Sequence, residues 1–580
     1  MSRAPLAVFA PLPPLRNGIA DYVAELAPVL ARDHDCVYVI DDAAPEPDAI
    51  AGAEIIRLDD YWSRAASLAR IPHLYHIGNN PDHAYLLPVA MRRPGVVALH
   101  DLSLHYLIDR ATRGAGDDAA YRSTLIREFG LAGQCFADQF ETFGWRGDFD
   151  LFQLPLNRQI VTRAKAVIVH SGYSRAKLEA IDGAPPVFQV AHHLSPLSSP
   201  VDAAARAEAR RSLGLRPDEL LLASLGFITR SKQIPMILRA LARLRDRLPR
   251  FRYLLAGEPD PHYEPSADIE RLGLGAIVQV TGYLTEIEFR TCLAAADIVL
   301  NLRHPVGGET SGALIRALGA GTCVVTVDLG SFGEFPDQVL VKLPWTDAVE
   351  TALEAEIPRL AGDPALRAAY GAAARDHVRM HHDIARSAAG YRAALEAAGD
   401  HASRPWGVEC GWEFDPEPAW PEPGLPWRQG GAIPYGGEGR IAAIHGTAAE
   451  ASTYLRRDRG FRAVVPLAEA APRGVDLVLI ASAEDASGQD LRGLLVRANR
   501  ALGFGGLVVL DLWQSTAVRD GDALARLLLS AGFRMAWQSD GLSPLAVSAW
   551  PDEAVGEFRC RAVKVSEFVA VPVALAAFSQ

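Results

Sequence analysis

The chain has 580 residues, 49% hydrophobic and 22% charged, a composition of folded globular domains rather than of a disordered scaffold. Its formal net charge of -12 argues against a broad nucleic-acid-binding surface but leaves room for a local basic pocket that takes a small phosphorylated ligand. The six cysteines show no C-x-x-C spacing, which speaks against a zinc ribbon or a redox pair and fits a reducing cytoplasm.

The opening MSRAPLAVFAPLPPLRNG carries one arginine before its proline cluster and only a short apolar run, so it does not read as a signal peptide. No later run approaches about 18 apolar residues, so no membrane span is expected and any membrane association is peripheral. APLAVFA, CVYVI, HLYHI, GVVALH and KAVIVH read as strands separated by helical patterns such as IADYVAELAPVLAR. Such alternation implies a parallel sheet covered by helices on both faces, with ligands at the carboxyl ends of the strands.

Four of those ends carry polar residues. After the first, prolines extend a loop to Gly18, which removes a side chain where a ligand can approach, and Asp21 lies in the first turn of the helix. The next exits hold His76, Gly78, Asn79 and Asn80, then His100, Asp101 and His105, then His170 and Ser171. One polar exit alone is as well explained by a capped turn; several on one sheet edge suggest the wall of a cleft. Asp148-Phe149-Asp150 follows GWRG rather than an apolar strand, and it reads as a loop coincidence, not a metal site.

From about residue 220 the pattern repeats. LLLASLGF, FRYLLAG, IVQVTG, DIVLNL and CVVTV alternate with IPMILRALARLRDRL, EIEFRTCLAAA and SGALIRALGA, a second doubly wound domain. Arg230 and Lys232 lie in the loop after its first strand, where two positive charges can hold a diphosphate; the alternative is a solvated surface loop. NLRHPVGGETSGALIRALGAG then runs from a strand through Glu309, Thr310, Ser311 and Gly312 into a helix. A helix start among glycines is either an anion seat or an ordinary capped turn.

The stretch from Arg404 to Gly439 holds seven prolines and four tryptophans without periodicity and reads as a linker, with Trp406, Trp412, Trp420 and Trp427 pinning it to a domain surface. Beyond it, VDLVLIAS, LRGLLVRANRAL, a GFGG turn, LVVLDLW, ALARLLLSAGF, RMAWQSD and PLAVSAW form a third, smaller α/β unit. The expected organisation is thus an N-terminal Rossmann-like domain over 1–198, a second Rossmann-like domain over 199–380, a returning helix over 381–400, a linker over 401–435 and the last unit over 436–580.

These residues together resemble the family-4 glycosyltransferases of the GT-B fold, two facing Rossmann-like domains, over roughly residues 5 to 398. The resemblance rests on PLPPLRNGIADY, HIGNN, GVVALHDLSLH, GFITRSK, GYLTEIEF, NLRHPVGGETSGALIRALGAG and VDLGSFGEFPD. It implies that 1–198 is the acceptor side and 199–380 binds a nucleotide-sugar donor, with Gly18 against the donor phosphates and His100 near the transferring sugar. Arg230 and Lys232 pair with the diphosphate, Glu309 holds sugar hydroxyls, and the amides of Thr310, Ser311 and Gly312 meet phosphate. Asn79, Asn80, Asp101 and His170 fall on the acceptor side. The resemblance further implies transfer with retention, no protein nucleophile and no metal, to an acceptor that is a glycan, a lipid-linked sugar or a small molecule.

Two departures stand out. Members commonly carry two glutamates at a fixed spacing; aligned on ALGAG at 317–321, those positions hold Gly308 and Arg316, with Glu309 one residue off, which leaves the ribose contact of Arg316 in question. Phe227 stands where members often have an arginine. The last unit resembles the later half of a class-I methyltransferase. It lacks a glycine-rich loop after its first strand, where RIAAIHGTAAEAS offers only Gly446, and this favours a degenerate, structural or protein-binding domain over one that binds S-adenosylmethionine. A nucleotide-sugar epimerase, a non-catalytic sugar-binding or scaffold protein, and a bifunctional glycosyl- and methyltransferase remain as alternatives. The long stretch from 105 to 160 argues for a transferase over an epimerase.

Overall fold

The computed structural model describes residues 3–143, 154–198 and 201–400, apart from 51, 69, 182 and 262. Beyond these it describes 441–445, 455–456, 461–481, 488–511, 528, 531, 533–539, 544–545 and 559–564. Asp148, Asp150, the four linker tryptophans and Gly446 lie outside the described residues. The chain divides into two compact units, one of residues 1–108 and 157–411, the other of 109–156 and 412–580.

The first unit holds two sheets. One comprises β1 (Ala4–Phe9), β2 (His34–Ile40), β3 (Glu54–Arg57), β4 (His73–Ile77), β5 (Val96–Leu99), β6 (Ala166–Val169) and β7 (Val187–Gln189), in the order β3-β2-β1-β4-β5-β6-β7. The other comprises β8 (Leu220–Leu225), β9 (Phe251–Ala256), β10 (Val278–Val280), β11 (Ile298–Leu300), β12 (Cys323–Val327) and β13 (Val341–Leu343), in the order β10-β9-β8-β11-β12-β13. Every pairing in both is parallel. Strands buried on both faces need continuous apolar runs, and β5, β6, β8 and β11 are buried throughout.

Five helices of this unit position the site. They are α1 (Gly18–Leu30), α2 (Gly172–Glu179), α3 (Glu286–Ala295), α4 (Gly312–Ala320) and α5 (Ile384–Asp400). Each of the first four is N-capped by a side chain, from Asn17, Ser171, Thr285 and Ser311 respectively, and at Thr285 the Glu288 carboxylate completes a capping box. The chain ends this unit by sending α5 back across the first sheet against α1 and β6. There Tyr391 is wholly buried and its hydroxyl meets that of Tyr22 at 3.2 Å.

The second unit has a sheet of β14 (Ile441–His445), β15 (Ala463–Pro466), β16 (Val475–Ala481), β17 (Leu502–Asp511), β18 (Phe533–Ser539), β19 (Pro544–Leu545) and β20 (Arg559–Lys564). Its order is β15-β14-β16-β17-β20-β18-β19. The first four run parallel, and β20 lies antiparallel between β17 and β18. The GFGG expected as a turn lies inside β17, where the pairing register with β16 shifts. The helices Asp118–Phe129 and Leu131–Phe143, from the stretch assigned by sequence to the acceptor side, pack on β17 of this sheet. No described helix is long and apolar enough to cross a membrane.

Candidate active site

The N-terminal sheet delivers its polar residues to one edge, as parallel strands must. Asn17 Oδ1 accepts from Ile19 N at 2.9 Å, and its amide donates to Asp82 at 3.1 Å, fixing the start of α1. A side chain built on Gly18 would meet nothing within 4 Å, so the helix start is open on that side. Asn79 N donates to Asp101 Oδ2 at 2.8 Å, while Asn79 Oδ1 accepts from Leu107 N and Asn80 Oδ1 from Asp82 N, both at 2.9 Å. The acceptor oxygens of Asn79 and Asn80 are therefore spent on shaping the strand exits.

Behind that edge lies a directed chain of imidazoles. His170 Nδ1 sits 2.8 Å from the Val190 carbonyl, which can only accept, so that nitrogen carries the proton. His170 Nε2 then accepts from His100 Nδ1 at 3.1 Å, and His100 Nε2 accepts from His76 Nδ1 at 3.1 Å. The sequence set His100 against the transferring sugar. In the structure its ring is buried and both nitrogens are bonded within the protein, so it ties together the ends of β4, β5 and β6 instead. His170, expected on the acceptor side, is likewise consumed.

The second domain meets this edge through the loop before α4. Leu102 N and Ser103 N donate to the Gly307 carbonyl at 2.8 and 3.1 Å, and Ser174 Oγ donates to the Gly308 carbonyl at 2.8 Å. Gly308 has φ +78°, and a Cβ there would stand 2.3 Å from that of Leu102. A glycine is therefore required at this position, and the carboxylate falls on the next residue. Glu309 accepts from Gly307 N at 2.7 Å and pairs with Arg303 Nε at 3.1 Å. Burial first, and the Glu309 charge second, push the Asp101 carboxyl up to about 7. Two carboxyl groups from opposite domains thus share one neighbourhood.

At the start of α4, Ser311 Oγ accepts from Leu314 N at 3.2 Å, and the amides of Gly312 and Ala313 have no intrahelical acceptor. Thr310 Oγ1 and the Asn301 amide nitrogen beside Ser311 are buried without a hydrogen-bond partner. Of the expected cations, Arg230 is exposed, its guanidinium 5.3 Å from the Tyr263 ring centre. Lys232 is buried instead; its Nζ donates to the Leu225 carbonyl at 2.5 Å, and burial together with Arg303 holds its pKa well below the ordinary lysine value. Arg316, expected at the donor, bridges Glu25 of α1 at 3.3 Å and Glu286 of α3 at 2.6 Å. Arg303 was not singled out from the sequence, although a basic residue just past the end of β11 was a usable signal.

Residues 205–377 match the family model described as glycosyl transferases group 1. No curated protein matches the chain in sequence. Among solved structures, sucrose-phosphate synthase from Thermosynechococcus elongatus is similar at TM-score 0.51 and 19% identity, covering 68% of this chain and 100% of that one. Anabaena HepE, solved in complex with UDP and glucose, is similar at TM-score 0.48 and 14% identity with the same coverage. The fold of the first unit is GT-B, and the residues matched by the group 1 glycosyl transferase model, 205–377, lie within it.

Burial holds His73, His83 and His170 down to about 4 and His76 to about 3. The folded chain then binds fewer protons than the unfolded one, whose histidines titrate near pH ~6.5, so the stability linked to them is intact above that pH and lost as pH falls toward ~4. Asp21 and Asp101, raised to about 6 and about 7, act in the opposite sense and are outnumbered. The thermal unfolding midpoint should therefore fall steadily as pH drops from about 6.5 to about 4.5. A flat midpoint across that range would show that the histidines are not held neutral.

Proposed function

We propose that this chain is a retaining glycosyltransferase of the family-4 type, moving a sugar from a nucleotide-diphosphate sugar to the hydroxyl of a glycan, lipid-linked or small-molecule acceptor. The observation that carries the proposal is the start of α4. Unspent amides, the unpartnered Asn301 amide and the Thr310 hydroxyl stand beside Glu309, at a loop seated on the opposite domain. Such a helix start stabilises a phosphate, and a carboxylate next to it accepts hydrogen bonds from sugar hydroxyls.

In this reading Gly312 and the residues before it seat the diphosphate, with Arg230 and Arg303 offsetting the charge that grows as it departs. The acceptor oxygen forms its bond to the anomeric carbon on the face from which the phosphate oxygen leaves, and the acceptor proton passes to that departing oxygen. The protein supplies no nucleophile and no metal; the rate comes from positioning and charge stabilisation. Gly18 leaves space for the phosphates across the cleft, and Asp101 faces the acceptor side. His100 and His170 act as positioning residues beneath it.

Nucleotide release measured over a panel of nucleotide sugars and acceptors tests this. One donor and acceptor pair should turn over, and Glu309→Gln should lower kcat/KM roughly 30- to 100-fold, the loss of a charge-assisted contact, with the fold kept. Wild-type turnover in that variant would remove Glu309 from the site.

For residues 436–580 we propose a degenerate methyltransferase-like domain. The antiparallel β20 set between β17 and β18 supports the resemblance drawn from LVVLDLW and RMAWQSD. Calorimetric titration of the full chain with S-adenosylmethionine should give no heat of binding; stoichiometric binding at micromolar concentration would establish a bifunctional enzyme instead.

A further inference from the structure

His192, in the segment that joins the two Rossmann-like domains, has a ring whose tautomer and direction are both fixed. Its Nδ1 lies 2.9 Å from the His193 carbonyl and so carries the proton, while its own carbonyl accepts from His382 Nδ1 at 2.6 Å. The remaining nitrogen, Nε2, is a lone-pair acceptor, and it points at the first residue of α4. A Cβ built on Gly312 would lie 3.5 Å from it. An electropositive helix start keeps a neighbouring imidazole nitrogen neutral, and an anion held between the two reverses that preference, since the protonated ring can donate to it. The unpartnered Asn301 amide, more than nine-tenths buried beside Ser311, is a second and independent sign that this helix start is built for a ligand.

We propose that His192 is a phosphate-binding residue of the donor site, taking up a proton at Nε2 when a nucleoside diphosphate seats at the start of α4 and donating it to a phosphate oxygen. The inference rests on the donor reading above and extends it to a residue outside the loops that carry the family resemblance. The groups packed around the ring explain why the proton is absent beforehand. Tyr22 of α1 stands edge-on at 4.8 Å, His170 after β6 at 5.5 Å and His193 at 5.7 Å, with His382 just before α5. Burial first, then His170 and His193, hold the His192 pKa well below the ordinary histidine value. Glu25 reaches this cluster through His193, at 3.0 Å, and Arg316 lies one turn along α4 from Gly312, paired to Glu25. Glu25, the carboxylate tied to this cluster, is thus already engaged by His193 and Arg316, and an incoming phosphate supplies the charge that makes protonation favourable.

The test is calorimetric titration of the full chain with UDP, ADP and GDP at neutral pH, each in two buffers of different ionisation enthalpy, so that proton uptake is read directly. The diphosphate that binds should take up close to one proton, and its nucleoside should take up none. In His192→Gln, a side chain that keeps a donor in the place of Nε2 but cannot titrate, uptake should vanish and affinity should fall about tenfold, with an unchanged thermal midpoint showing that the fold is intact. Uptake that persists in His192→Gln assigns the proton to another group, such as Lys232, and overturns the proposal, as does diphosphate binding without uptake in the wild type. Failure of all three diphosphates to bind overturns the donor reading and this assignment together.

Discussion

The geometry of the site hangs on two carbonyls. Gly307 and Gly308 offer their oxygens to Leu102, Ser103 and Ser174 of the opposite domain, and this seating brings the end of β11 to the ends of β5 and β6. It works only if residue 308 has no side chain and takes a positive φ, since Leu102 occupies the space a Cβ would need. The carboxylate is therefore carried by Glu309, which folds back onto Gly307 N and Arg303 and adds to the burial that raises Asp101 across the gap. The shift of the acidic residue by one position, a departure when viewed in sequence alone, follows from this packing.

A second clamp sits at the start of α2, where the Glu334 carboxylate accepts from Gly172 N at 2.9 Å and from Tyr173 N. An anion there is favoured by the helix terminus it caps. The third is Arg316 between Glu25 and Glu286. Breaking a partly buried pair on one side leaves a charge without compensation, so these contacts set the relation of the two Rossmann-like domains more firmly than an exposed pair such as Arg3 with Asp35. Between the clamps the titratable groups are kept neutral or engaged: the imidazoles hand hydrogen bonds in one direction toward Val190, and Lys232 is turned inward to Leu225. In the donor reading proposed above, positive charge at the seat comes from Arg230 and from Arg303, which is paired with Glu309.

The parallel architecture was legible because β1, β2, β4, β5, β6 and most of the second sheet are apolar runs long enough to stand out between helical patterns. The edge strands β3, β7 and β13, written EIIR, VFQ and VKL, are three or four residues long and partly polar, too short for a period to show. β20, from a charged RCRAVK, gains strand character only from the neighbours it is inserted between. At the site, Glu309, Ser311 and Gly312 were readable because strand exit, glycines and helix start are contiguous in sequence. The fate of His100 was not, since it depends on the register of three strands and on the Val190 carbonyl. The ion pairs of Arg316 were not legible for the same reason: its partner Glu25 comes from α1, and no local pattern announces an ion pair between elements so far apart in the chain.

Crystals of the chain grown with the nucleoside diphosphate it binds most tightly test the central claim directly. The phosphates are expected within hydrogen-bonding distance of the Gly312 and Ala313 amides, with Asn301 and Thr310 acquiring the partners they lack and the Gly307 and Gly308 carbonyls still on Leu102, Ser103 and Ser174. A diphosphate bound elsewhere, with the start of α4 covered by protein, would contradict the assignment of this helix start as the donor seat.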